Sequence, residues 1–280
     1  MVSKKSMAGV QIKEMNPGSR STSLRRGLEV LCLFSDTHPE WGITDISKIM
    51  GIAKSSVHRA VKTFEDMGFL RKSPLSRKYT LGFRTFEIGS AAVRQISLIP
   101  WARFHLQKLA QETDTTVSVR MLDGDGYIAV LCYESPNDLN GRSRQGIRRP
   151  WNFGAAGKLF SAFRPPEQLK KMIRETGLPQ YTEKSITHVG TYLREMKEIR
   201  KQGYAVSDGE YIPWSFAVSC PIFNPDGNLL AAVVSGTPRE GISTSRKKKI
   251  ISTVVQKTSN VSRTMAQEHV SRSGRFRQIS

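Results

Sequence analysis

The sequence predicts an α+β protein in two parts: a small basic head rich in helices, then a larger domain on an antiparallel sheet. Three observations carry this. Residues 43–70, ITDISKIMGIAKSSVHRAVKTFEDMGFL, read as two short helices around a turn at Gly51. Asp123-Gly124-Asp125-Gly126 and Asn224-Pro225-Asp226-Gly227 each join two apolar runs of strand length, a hairpin signature. Helical patterns stand before, between and after these hairpins, which implies a sheet flanked by helices.

In the head, Leu24, Leu28, Leu31 and Phe34 recur at helical spacing and form the expected inner stripe of a first helix. Thr44 is the expected N-cap of the next helix, which holds Ile46 and Ile49 and ends at Gly51. On the helix after it, Val57, Val61, Phe64 and Met67 share a buried face. Lys54, Ser55, Ser56, His58, Arg59, Lys62 and Thr63 fall largely on the opposite side, where hydroxyls and a guanidinium suit base edges and lysines suit phosphates. Gly68 ends this helix. Phe69 to Lys72 and Lys78 to Leu81 then read as a two-stranded hairpin, whose Arg71, Lys72, Arg77 and Lys78 suit phosphate or minor-groove contact. Ile43 to Lys62 is thus a helix-turn-helix with a basic wing; a small helical bundle with solvated cations is the bland alternative.

A helix is expected from Leu81 to Leu98, stopped by Pro100, with Phe83, Phe86, Ile88, Val93 and Ile96 unpaired. It links the two parts, and those side chains either meet a second subunit or pack on their own domain. Beyond it the pattern gives a helix from Trp101 to Glu112 and strands from Thr116 to Leu122 and Tyr127 to Tyr133. Helical runs follow over 154–175, interrupted at Pro165-Pro166, and over Thr191 to Gln202, ending at Gly203. Strands from Tyr204 to Ser207, Ala217 to Phe223 and Asn228 to Ser235 precede a last helix from Ser243 to Met265.

Lysine and arginine number 43 against 24 acidic residues, a net charge of +19 that favours a polyanionic partner. Residues 1–90 carry +7, residues 91–238 +4 and residues 239–280 +8. Arg246 to Lys249 open an exposed helix, and RSGRFRQIS reads as a disordered end. Cys32, Cys132 and Cys220 form no CxxC pair and point to reduced thiols in a cytoplasmic protein. Apolar runs such as Leu229 to Val234 are too short to cross a bilayer. The first residues have cations without an apolar stretch, so a disordered arm is expected in place of a signal peptide.

From about Leu24 to Met265 the chain resembles the IclR-type transcriptional regulators. The resemblance rests on GIAKSSVHRAVKTFEDMGFL followed by KYTLG, on GAAGK, on SIT, and on RKQGYAVSDGE followed by the Pro221-Ile222-Phe223 strand. It implies a winged helix-turn-helix head at 21–83 after an arm at 1–20, and a linker helix at 84–99. A GAF-like effector domain at 100–267 and a basic disordered tail at 268–280 complete it. It further implies dimers or tetramers on palindromic operators, acting as repressors or activators, often of neighbouring catabolic genes.

The effector segment to examine is Trp151 to Lys158. Small residues before a helix leave its first amides open to a carboxylate, and in the family this segment helps line the pocket. The matching positions are Gly154, Ala155, Ala156 and Gly157, with Ser207 and Ala217 to Ser219; the alternative is that these small residues only permit close packing. Many members carry an acid at Ser207 and a glycine at Trp214, whereas Glu210 is the usual glutamate. Trp214, Trp151, Phe153 and Phe216 are expected to fill the pocket or wall it, favouring a flat, aromatic acid with Ser207, Ser215 or Ser219 as donors.

Other chemistries lack support. Gly157-Lys158 is not a phosphate loop, because Asn152 and Leu159 stand where that motif needs Gly and Ser or Thr. His38, His58, His105, His188 and His269 are dispersed, so no metal or cofactor is expected. Cys220 has no nearby base, and Asp208 and Glu210 read as a solvated strand end. An enzyme with a DNA-binding-like appendage, or a general DNA-binding protein without a ligand, are the competing readings.

Overall fold

A computed structural model describes residues 22–135, 144–224 and 226–276, with residues 263–276 as backbone alone. The arm at 1–20, Pro225 of the second hairpin turn and the last four residues lie outside the described residues. The chain divides into two compact units, residues 1–95 and 96–280.

The first unit packs α1 (Thr22–Leu31), α2 (Ile43–Met50) and α3 (Lys54–Asp66) on a small sheet of β1 (Glu40–Trp41), β3 (Tyr79–Leu81) and β2 (Leu70–Lys72), in that order. Its core holds Val30, Leu33, Phe34, Trp41, Ile46, Val57, Val61, Leu70 and Tyr79. The inner stripe of α1 is therefore rotated from the leucine pattern. Leu24 and Leu28 are exposed, and Gly27 turns inward because the Phe64 ring comes as close as 3.3 Å to where its Cβ would stand. Ile49 and Met67 are exposed too, Met67 because it caps α3 past the last buried turn. Gly42, not Thr44, caps α2, which ends at a left-handed Gly51 with φ 64°. The wing gains a third strand, β1, anchored where the Trp41 indole donates to Leu33 O at 3.0 Å.

The linker helix α4 spans Phe83–Arg94 and buries no residue. It does not run on to Leu98: a break follows, and α5 (Leu98–Thr113) begins there with Pro100 inside its first turn, where a missing amide costs no helical bond.

The second unit is a six-stranded antiparallel sheet flanked by helices on both faces. Its strands are β4 (Thr116–Asp123), β5 (Gly126–Tyr133), β6 (Arg148–Pro150), β7 (Ala205–Asp208), β8 (Ser215–Phe223) and β9 (Leu229–Pro238), in the spatial order β6-β5-β4-β9-β8-β7. One face receives α6 (Gly154–Phe163), α7 (Pro166–Thr176) and α8 (Val189–Gln202), with Tyr127, Trp151, Leu159, Phe160, Tyr192, Ile199, Ala205 and Val234 in the shared core. The other face packs against α5 and α9 (Thr244–Phe276). The last helix extends past Met265 to Phe276, so residues 268–276 are helical in place of the expected disordered tail.

Candidate functional sites

On the head, α3 buries Val57 and Val61 and turns its opposite side outward. Lys54, Ser55, His58, Arg59, Lys62 and Thr63 are exposed and Ser56 is half-buried, so the expected recognition surface is one continuous face. Not every group on it is equally available. Thr63 Oγ1 donates to Arg59 O at 3.0 Å, and Lys62 sits between Glu65 and Asp66 at 3.3 and 2.9 Å. The Ser47 hydroxyl, donating to Ile52 O at 2.7 Å, fixes the turn that aims α3. On the wing, Arg77 is exposed at a left-handed tip with φ 56°, whereas Lys78 is half-buried and lies 3.8 Å from Glu40.

In the second unit, the residues around α6 come together. The chain enters α6 through Phe153, whose side chain packs against Tyr181 and Tyr211; the three ring pairs have centroid distances of 5.4 to 5.5 Å. No side chain caps α6, and no acid sits in its first turn, so its leading amides keep their pull on an anion. Gly157 is required for close approach: a Cβ there would stand 2.7 Å from Trp151 O. Gly154 is half-buried, while Ala155 and Ala156 are buried.

Strand pairing places Ser207 opposite Ala217, Ala217 opposite Gly236, and Gly236 opposite Thr116 in one row across the sheet. The next row is Ala205, Ser219, Val234 and Ser118. Ala205 and Val234 belong to the core under α6, so Ser207, Ala217 and Ser219 face the same helix. Ser207 and Ser219 are buried. The expected ligand positions from α6, β7 and β8 thus share one side of the sheet.

Of the two tryptophans, one is packed into the core and the other is exposed. Trp151 is a core residue, edge-on to Tyr192 and donating to Thr176 Oγ1 at 3.1 Å. Trp214 is 44% exposed on the turn before β8, and Phe216 points to the opposite face, beneath Lys247 at 5.3 Å. Phe153, Tyr181 and Tyr211 form the aromatic cluster at the start of α6; neither tyrosine stands out in sequence, because each lies in an irregular loop.

Asp208 and Glu210 are no solvated strand end. Asp208 binds Arg239 and Lys247, whose charges hold its carboxyl below the usual range against the opposing effect of burial. Glu210 lies 2.7 Å from the Lys158 ammonium, which is fully buried and also meets Glu195 at 2.5 Å. Burial pushes the Glu210 carboxyl above its ordinary value, with Lys158 opposing and Glu195 adding to the rise. Thr182 and Ser185 donate to Glu210 O at 3.0 and 2.6 Å, so the segment from Thr182 to the first residue of SIT pins the loop that carries Glu210 and Tyr211.

Among the described residues no group of three or more His, Cys, Asp or Glu side chains is placed to hold a metal ion, and no helix is long and apolar enough to cross a membrane.

The family model for the IclR helix-turn-helix domain matches residues 23–74, and that for the bacterial transcriptional regulator IclR C-terminal domain matches residues 90–263. The transcriptional regulator XynR of Escherichia coli (strain K12) is 29% identical over 77% of this chain and 85% of its own length. A solved IclR-type regulator from Alicyclobacillus acidocaldarius is 28% identical with a TM-score of 0.77, covering 88% of this chain and all of that one. An IclR homologue from Microbacterium hydrocarbonoxydans, solved with 4-hydroxybenzoate, is 20% identical with a TM-score of 0.75, over 87% of this chain and 100% of its own. These relatives are regulators, which removes the enzyme reading. The chain belongs to the IclR family of bacterial transcriptional regulators.

Proposed function

We propose that this regulator binds a palindromic operator as a homodimer or homotetramer, and that a small aromatic acid held at the start of α6 modulates that binding. In this reading Ser55, Ser56, His58 and Arg59 meet base edges, while Lys54, Lys62, Thr63, Arg77 and Lys78 meet backbone. The carboxylate accepts from the amides at Gly154 to Ala156, Gly157 being engaged with Phe153 O at 3.1 Å, the ring lies against Phe153, Tyr181 and Tyr211, and Ser207 and Ser219 supply hydroxyls.

The observation that carries the ligand assignment is the conjunction of an uncapped α6 N-terminus with three aromatic rings at its entrance. Amides attract the charge and rings favour a flat body over a small aliphatic acid. The 4-hydroxybenzoate complex of the Microbacterium homologue supports the same ligand class. Ligand acts by favouring one arrangement of the paired heads over another, which changes half-site fit. Exposed Phe83, Phe86 and Ile88 on α4 supply apolar surface for pairing. A DNA-bound regulator of this kind works in the cytoplasm, in keeping with its free cysteines.

The test is a calorimetric titration of the full chain with matched aromatic and aliphatic acids, alongside DNA-binding assays. Saturable change with aromatic acids and a shift in duplex affinity is the expected result. A flat response to every aromatic acid, or saturation only with small aliphatic oxoacids, refutes the ligand assignment.

A further inference from the structure

A sheet face covered by helices is ordinarily apolar, because burying polar groups there is costly unless each is satisfied. The face beneath α6 departs from that. Ser118 and Ser219 flank Val234 from either side and are almost fully buried, and the Ser219 hydroxyl has no hydrogen-bond partner. Beside them, on the same face of β4, stands Arg120, two residues from Ser118. The register between β4 and β5 shifts between Val119 and Arg120, where Val130 of β5 is the extra residue, while Arg120 keeps its regular place opposite Ala232 of β9.

The Arg120 guanidinium is held in place on three sides. Its Nε donates to Ser118 Oγ at 3.2 Å, one Nη donates to the Tyr127 hydroxyl at 3.3 Å, and the group lies over the Tyr127 ring at 5.4 Å. Tyr127 in turn donates to Phe153 O at 2.6 Å. Phe153 caps α6, so Arg120 is two hydrogen bonds away from the helix start. Arg149, from β6, lies over the Phe153 ring at 5.2 Å and adds a second positive charge at the same place. A guanidinium positioned in advance is the group best suited to a carboxylate, which it meets with paired, charge-assisted hydrogen bonds.

We propose that Arg120 is the specificity-determining residue of the effector site, reading the ligand's carboxylate from the sheet side while the α6 amides meet it from the helix side. The inference rests on the assignment of an aromatic acid to this site and adds the residue that rejects uncharged analogues. An amide of the same shape keeps one acceptor oxygen but turns its NH2 toward a guanidinium that only donates, so it forfeits one bond of the pair and its charge assistance and is disfavoured at this position.

The test uses the full-length protein and three matched pairs: benzoate and benzamide, phenylacetate and phenylacetamide, 4-hydroxybenzoate and 4-hydroxybenzamide. Affinities are measured by calorimetry for the unaltered chain, Arg120→Gln and Arg120→Lys, with circular dichroism as the check on folding. The unaltered chain is expected to prefer at least one acid over its amide, and Arg120→Gln to weaken that acid about thirtyfold, as befits loss of a charge-assisted pair, while leaving amide binding unchanged. Arg120→Lys keeps the charge but not the fork and should fall between; it carries the test if Arg120→Gln does not fold. Equal affinity of either folded variant and the unaltered chain for the acid overturns the role of Arg120 while leaving the aromatic-acid reading standing. Failure of the unaltered chain to bind any of the six compounds overturns both.

Discussion

The fully buried ammonium of Lys158 and the carboxylate of Glu210, 2.7 Å apart, join the first turn and a half of α6 to the loop after β7. Glu195 on α8 completes the cluster, giving two carboxylates to one ammonium. Removing the cation strands both acids in a poorly solvated place. Lys158→Met is therefore expected to cost about 3–5 kcal/mol, against a smaller loss for Glu210→Gln, which keeps a hydrogen-bond acceptor. Urea unfolding of the two variants checks this order. The pH dependence has a definite sign. The Glu210 carboxyl titrates above its ordinary value in the folded protein, so the native state holds that proton more tightly than the unfolded chain does. Its contribution is present in acid and lost as pH rises through the raised value, and Glu210→Gln should flatten that part of a stability–pH curve.

Gly157 has backbone where a side chain would go, with Trp151 O 2.7 Å from an added Cβ. Gly157→Ala should displace the turn from Trp151 to Phe153 and destabilise the second unit by about 1–3 kcal/mol, as overpacking typically does. A lower melting temperature with loss of aromatic-acid binding is the expected pair of results. A neutral substitution would show that the turn yields easily.

On the wing, Arg77 is exposed at the tip while Lys78 lies 3.8 Å from Glu40 and must give up that partner to meet a phosphate. Arg77→Ala should weaken all duplexes alike and lower the salt slope by about one, and Lys78→Ala should have the smaller effect. Duplex titrations over a salt series separate the two.

Phe86 is 71% exposed on a helix that buries none of its residues within its own unit. Phe86→Glu should shift the protein toward monomer in sedimentation velocity at micromolar concentration. An unchanged oligomer would place the subunit interface off α4.

The sequence resolves those parts of the fold whose signals are local. Gly51, the Val57–Val61 pair and the two Gly-containing hairpins each announce themselves within a few residues, and the architecture follows from their order. Where the deciding contact is distant, the pattern misleads. The stripe of α1 looked leucine-rich because a glycine carries no hydrophobic weight, yet Gly27 faces inward to admit Phe64. Strand β6 is hidden by Arg148, Arg149 and Pro150, residues an edge strand tolerates. At the candidate effector site the small residues that open α6 are legible, but the buried pairing of Lys158 is not, because Glu195 and Glu210 reach it from distant segments. Arg120 and the Tyr181–Tyr211 pair are equally silent, because nothing in their own segments says what they will face.

The polar side of α3 is the surface expected to read DNA, and one comparison tests that most directly. A duplex is selected from a random pool with the full-length protein, and fluorescence anisotropy then compares it with a scrambled duplex at physiological salt. The unaltered chain should prefer the selected duplex about a thousandfold or more, and Arg59→Ala should lose about tenfold or more of that preference. Retention of full discrimination by folded Arg59→Ala would contradict the placement of the recognition surface.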